Sequence, residues 1–380
     1  MAQTLNYRVK IGGEGDERYY KHITYLGNGR VGIVHSAGYR YKLTVINIGD
    51  GSVAWEQANY EKFGGVAVPL YDEHTVYMPI KESSQKLSAN DRETGKPLWA
   101  RSVGNGTWAF MTPPAQTAAH VAVCNTHSDK LSIIDKKSGK VVCNAKLAHE
   151  VHDYWPQLRV WRDKLIAIAA DSKNDQWTID LYDPAAEGVF VKTILRFPEK
   201  GEDGKILLHI IEEDSLYFFT EEGWFYKLDL TSGDIKEKHQ LPDLSESEYR
   251  YLYFTRYIHR YNNLLCATGS FYVSGGKSTY FAFRYDMNSG AFSSIPFEEP
   301  KTGWMQFYEG KVYRLSESGL LRFDISGDGA TTEIPLDKWD KKISSNTFAN
   351  SGESGEHWLV VAGKILAIRE KEGELLCWDI

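Results

Sequence analysis

The sequence predicts an all-β protein, an eight-bladed β-propeller of four-stranded antiparallel blades closed by an N-terminal strand that completes the last blade. Three observations carry this prediction. A unit of strand, Asp or Asn, Gly turn and strand recurs along the 380 residues, and repetition at this period is the signature of radially stacked sheets. No amphipathic helical run of about 10–15 residues separates the strands, which argues against an α/β fold. Aromatic residues reach 13%, with 23 Tyr, 16 Phe and 11 Trp, as suits planar side chains wedged between sheet faces.

The plainest copy of the unit is Leu87-Ser-Ala-Asn-Asp-Arg-Glu-Thr-Gly-Lys-Pro-Leu-Trp99, and clear relatives begin at Leu131, Phe225 and Phe283. Weaker copies begin at Leu43, Ile179, Leu321 and Leu375. Marking each by its polar turn residue gives Asn47, Asp91, Asp135, Asp183, Asp229, Asp286, Asp324 and Asp379, at intervals of 44, 44, 48, 46, 57, 38 and 55 residues. Each interval holds four short strands, so eight marks predict eight blades. A single propeller domain over 1–380 follows, with blades at 19–58, 63–103, 107–148, 154–197, 205–241, 249–297, 303–335 and 342–380. The eighth unit ends after three strands. Residues 4–11, Thr4-Leu-Asn-Tyr-Arg-Val-Lys-Ile11, alternate like a strand and are expected to pair with 374–379, which removes two free edges. At each turn the acidic or amide side chain caps local N–H groups while Gly accepts positive φ. Asp91 and Asp183 are therefore expected to be structural, since neither turn has the closely spaced oxygens of a calcium loop.

The segment Ala89-Asn-Asp-Arg-Glu-Thr-Gly-Lys-Pro-Leu-Trp99 resembles the repeat of the quinoprotein-like (PQQ-repeat, WD40-like) eight-bladed propellers, a family that includes pyrroloquinoline-quinone alcohol dehydrogenases and an outer-membrane assembly lipoprotein scaffold. The resemblance implies the fold and says little of activity. The family's enzymes stack a quinone over a channel Trp, hold calcium, use an Asp base and place an adjacent Cys pair against the cofactor. Here the nearest cysteines, Cys124 and Cys143, are 19 residues apart, and no catalytic residue carries over. No cofactor and no metal ligand set is expected. The four cysteines read as small buried hydrophobes.

Function is argued from what remains. With 44 basic against 51 acidic residues the formal charge is −7, and no basic block suited to nucleic acid or an anionic membrane is present. The N-terminus lacks the apolar run of a secretory signal and no stretch approaches the roughly 18 apolar residues of a spanning helix, so a cytoplasmic location is expected. The loops that lead into the innermost strands carry Trp108, Trp155, Arg250 and Trp304, which would ring one mouth of the channel. Aromatic and Arg side chains at a concave rim make protein-binding hot spots, although Trp also fills space between blades. His149-Glu-Val-His152-Asp153 is the densest His cluster, and His152 with Asp153 is the pair that could serve a metal or a general base. The zincin order and a helix to present it are missing, so catalytic residues are not assigned. His35 and His209 are expected to hydrogen-bond between blades. Glu246, Glu248, Asp337 and Asp340 make part of the loop face acidic, which suits a basic protein partner. The leading expectation is a non-catalytic protein-binding propeller, a scaffold or an inhibitor of immunity type, with an enzymatic role left uncertain. A hydrolase or lyase acting on a sugar or peptide in the central channel is the alternative, a carbohydrate-binding propeller the third, and a small ligand in the channel stays compatible with all three.

Overall fold

A computed structural model describes residues 2–11, 20–37, 40–60, 69–81, 84–105, 114–125, 130–149, 157–171, 173–186, 189–198, 204–241, 249–254, 258–273, 277–297, 305–316, 318–327, 329–339, 354–355, 358–369 and 373–380. Among them lie eight antiparallel sheets that follow one another along the chain, with a single short helical turn at Pro184–Ala186. Blade 4 shows the plan: Gln157–Trp161, Lys164–Asp171, Gln176–Asp183 and Val189–Pro198 pair in order. First strands of neighbouring blades approach one another, as Gln157–Trp161 approaches Ile206–Glu212 of blade 5. Last strands such as Ile235–Gln240 alternate exposed and half-buried residues at the outer edge.

This layering explains the sequence pattern. A middle strand has a neighbouring blade on both faces, so Lys164–Asp171 reads as an apolar run and is buried from Leu165 onward. An edge strand has water on one side and reverts to alternation. Two blades add to the plan: Ser354–Gly355 joins Tyr20–Tyr25 in blade 1, and blade 6 divides its first strand between Tyr249–Phe254 and His259–Tyr261.

The buried hydrophobic residues form eight clusters, one between each neighbouring pair of blades, including the last and the first. In that closing cluster Ile23, Val31 and Ile33 of blade 1 pack with Leu359, Leu366 and Leu375 of blade 8. Leu5–Lys10 pairs antiparallel with Glu374–Asp379, with Arg8 opposite Leu376. The ring is closed by the N-terminal strand, as the alternation at 4–11 predicts.

Turn chemistry sets the blade-to-blade spacing. Asp91 Oδ1 accepts from the Glu93 and Thr94 N–H groups at 3.1 and 2.7 Å, and Asp135, Asp229 and Asp286 cap their turns likewise. Gly95 and Gly139 sit at φ +71° and +66°, and a Cβ on either would lie 2.5 Å from the indole of Trp55 or Trp99 on the preceding blade. Each indole N–H then donates to the carbonyl just past the capping Asp, Trp55 to Arg92 at 2.9 Å and Trp99 to Lys136 at 3.0 Å. Tyr7 does the same for the closing interface, its hydroxyl donating to Ile48 carbonyl at 2.8 Å while its ring lies against Gly51. At these three interfaces an aromatic ring on one blade is thus received by the Gly turn of the next, whereas the equivalent positions in blades 3, 4, 5, 6 and 7 are Cys143, Lys192, Glu237, Ser293 and Thr332.

Candidate functional site

Trp108, Trp155, Trp304, His152 and Asp153 lie outside the described residues, as does the side chain of Arg250, whose backbone belongs to Tyr249–Phe254. The first residue of the predicted His cluster, His149, is described, and it anchors a buried polar constellation with two carboxylates.

His149 follows the last strand of blade 3, Val141–Lys146, and reaches into blade 4. Its Nδ1 is 3.5 Å from Asp171 Oδ2, and its Nε2 is 3.5 Å from Asp180 Oδ2 and 3.3 Å from Thr193 Oγ1. These partners come from the second, third and fourth strands of one blade, so the imidazole ties three strands to the connection from blade 3. Both carboxylates are enclosed, with Asp171 at 1% and Asp180 at 3% exposure. Asn174 donates to Asp171 at 2.7 Å and Thr178 to Asp180 at 3.1 Å. Phe190 closes the outer side, edge-on to His149 and to Tyr182, whose hydroxyl oxygen accepts the Ala148 N–H. Sequence reasoning located the His but not its acids. The available signal was an Asp in each of two apolar strands, Lys164–Asp171 and Gln176–Asp183, where a buried carboxylate needs a partner.

Burial pushes the Asp180 carboxyl above its ordinary range, and the hydroxyls of Thr193 and Thr178 together with the His149 imidazole offset part of that rise. The consequence for stability has a definite sign. A carboxyl whose folded pKa is raised holds its proton to higher pH than in the unfolded chain, so its contribution is lost as pH rises above about 4. His149→Ala removes the group that compensates both buried acids. Unfolding in urea at pH 7 is expected to show a loss on the order of 3 kcal/mol; an unchanged midpoint would contradict a structural role for the imidazole.

Both imidazole nitrogens are engaged and both acids are buried, with Asp180 Oδ1 enclosed and without a hydrogen-bond partner among the described residues, and the cluster reads as a latch between the blades. Among the described residues no group of three or more His, Cys, Asp or Glu is placed to hold a metal ion, and no helix is long and apolar enough to cross a membrane. Of the two histidines expected to bond between blades, His209 departs from that expectation. His35 bonds within its own blade, to Thr44 at 3.0 Å. His209 is buried with neither ring nitrogen hydrogen-bonded, and burial holds its pKa well below the ordinary value.

Comparison with known proteins adds to this geometry. The family described as outer membrane protein assembly factor BamB matches residues 21–239, more than half of the chain. No curated protein matches the sequence. Among solved structures, the computationally designed Ika8 protein superposes with a TM-score of 0.60 at 13% identity, covering 100% of this chain and 99% of its own. BamB from Moraxella catarrhalis superposes with a TM-score of 0.59 at 12% identity over 100% of both chains. At these identities the likeness concerns the fold. The cytoplasmic expectation is corrected here, because the matching family is named for outer-membrane assembly; the absent apolar run on which it rested does not bear on where the folded propeller works.

Proposed function

This chain belongs to the family described as outer membrane protein assembly factor BamB, and on that premise we propose that it is a non-catalytic propeller that holds another protein as an assembly scaffold. The observation that carries this reading is the family match itself, across the first five blades. Two structural features support it. The ring is locked by its own terminal strand, so the blades form a rigid mount on which loops can vary without disturbing the packing. The one described cluster rich in His and Asp is closed on itself, which favours a structural over a hydrolytic use of those residues.

The contact surface we propose is the face that carries the blade-to-blade connections, with Trp108, Trp155, Arg250 and Trp304 as anchors and His152 and Asp153 beside them. The acids at Glu246, Glu248, Asp337 and Asp340 favour a partner with a basic surface. Hot spots of this composition lose about 2 kcal/mol or more for each central aromatic truncated. Recovery of the protein from its native cells, with quantitative mass spectrometry, is expected to yield one stoichiometric protein partner. The triple change Trp108→Ala, Trp155→Ala and Trp304→Ala is expected to weaken binding of that purified partner at least 100-fold while the circular dichroism spectrum is unchanged. Retention of full affinity by the folded triple variant would place the contact elsewhere.

A further inference from the structure

A groove on the turn face of blade 6 gathers polar groups that the fold itself leaves unused. It has a volume of about 630 Å³ and runs from the hairpin Tyr261-Asn262-Asn263 past Arg284 and Asp286 toward Ser326 of blade 7, a size within the range of small-ligand sites. The hairpin is pinned by its backbone. Asn262 stands at φ +52°, in the left-handed region that Asn tolerates, its carbonyl accepts from Arg260 Nε at 3.1 Å, and the Asn263 carbonyl accepts the Met287 N–H at 2.9 Å. Both side-chain amides are left exposed, with no hydrogen bond to a described residue. Arg284 is held as firmly: Nε donates to Ser293 Oγ at 2.9 Å and Nη1 to the carbonyls of Ile325 and Gly327 at 3.1 and 2.9 Å, so among the described residues Nη2 alone is unengaged. Asp286 caps its turn through Oδ1, which accepts from the N–H groups of Asn288 and Ser289, and its Oδ2 has no described partner. The guanidinium and the carboxylate stand two residues apart on one strand and do not pair with each other.

We propose that this groove binds a neutral, hydroxyl-rich ligand, a sugar of one or two rings. Three features select that class. The lining holds one cation and one anion at fixed places, so a ligand with net charge of either sign meets a like charge, and an uncharged one meets none. The unengaged groups are two amides, a carboxylate oxygen and a guanidinium N–H, which together call for donors and acceptors at close spacing. Adjacent hydroxyls on a sugar ring supply both, whereas an apolar ligand would leave all four groups unpaired. Tyr261 adds a flat apolar surface beside them: one side of its ring rests on Gly310, where a Cβ would collide with it, and the residue is still 36% exposed, as stacking on the C–H face of a pyranose requires. The groove lies on the face of the turns, away from the connections between blades, and is separate from the protein contact proposed above.

The test is a saturation-transfer NMR titration of the full chain with the methyl glycosides of glucose, galactose, mannose and N-acetylglucosamine, with L-alanine as the zwitterionic comparison. Transfer to at least one glycoside is expected, and none to alanine. Asn262→Gly combined with Asn263→Ala removes both amides at exposed positions, Gly being at ease at the φ of Asn262, and is expected to weaken binding of the responding glycoside at least tenfold. Ala291→Phe, at an exposed position on the opposite wall, fills the mouth and is expected to lower affinity by a similar factor, so the test survives misfolding of the hairpin variant. An unshifted urea midpoint identifies the variants that are folded. No transfer to any of the four glycosides, affinity unchanged in every folded variant, or transfer to alanine in place of the sugars would overturn the proposal.

Discussion

Deleting residues 1–11 is expected to abolish the cooperative native state. In most folds the loss of a terminal strand leaves the remainder packed, but here Leu5–Lys10 is the outer strand of blade 8 and the clasp of the ring. Leu5, Tyr7 and Val9 pack against the last blade or the closing cluster, and Ile11 is 1% exposed within it. Full burial of such a side chain contributes roughly 1.5–3 kcal/mol, so Ile11 and three half-buried neighbours amount to on the order of 4–6 kcal/mol, a large part of the whole stability of a typical domain. Two further ties would go: Gln3 bridges to blade 7 through the Pro335 carbonyl and the Asp337 N–H at 2.8 and 2.9 Å, and Tyr7 is hydrogen-bonded to blade 1. The deletion also bares the edge of Glu374–Asp379, an invitation to aggregate. Size-exclusion chromatography and urea unfolding should show soluble aggregate or a transition shifted below half its original midpoint, and an unshifted transition would mean that the strand is an ornament.

The second large effect is expected at the docking rings. Trp99 is 8% exposed, and truncation to Ala should cost about 3–5 kcal/mol. Gly139→Ala attacks the same contact from the receiving side, by a Cβ 2.5 Å from the indole and by a φ of +66° that an L-residue resists. Its loss should be on the order of 2–3 kcal/mol. Because one contact is removed twice, the double variant should lose distinctly less than the sum. Strict additivity in urea unfolding would show that ring and turn act independently.

The rings also show what could be read in advance. The turn acids, the Gly spacing and the alternation at 4–11 are local signals, and they were sufficient for the blades and the closing strand. Trp99 was visible as part of the repeat but its receiver, the Lys136 carbonyl in the next blade, was not, because that contact spans 37 positions. The latch was half legible for the same reason: His149 stood out in a polar segment, whereas Asp171 and Asp180 were hidden in apolar strands. The rim residues, Trp108, Trp155 and Trp304, rest on loop position alone.

Hydrogen–deuterium exchange of the protein with and without its purified partner tests the central claim most directly. The account predicts that protection on binding falls on peptides covering 106–113, 150–156 and 301–304, while peptides from the turns at 92–96 and 136–140 exchange unchanged. Protection confined to those turns, or absent from every connection between blades, would contradict a scaffold that works through its loop face.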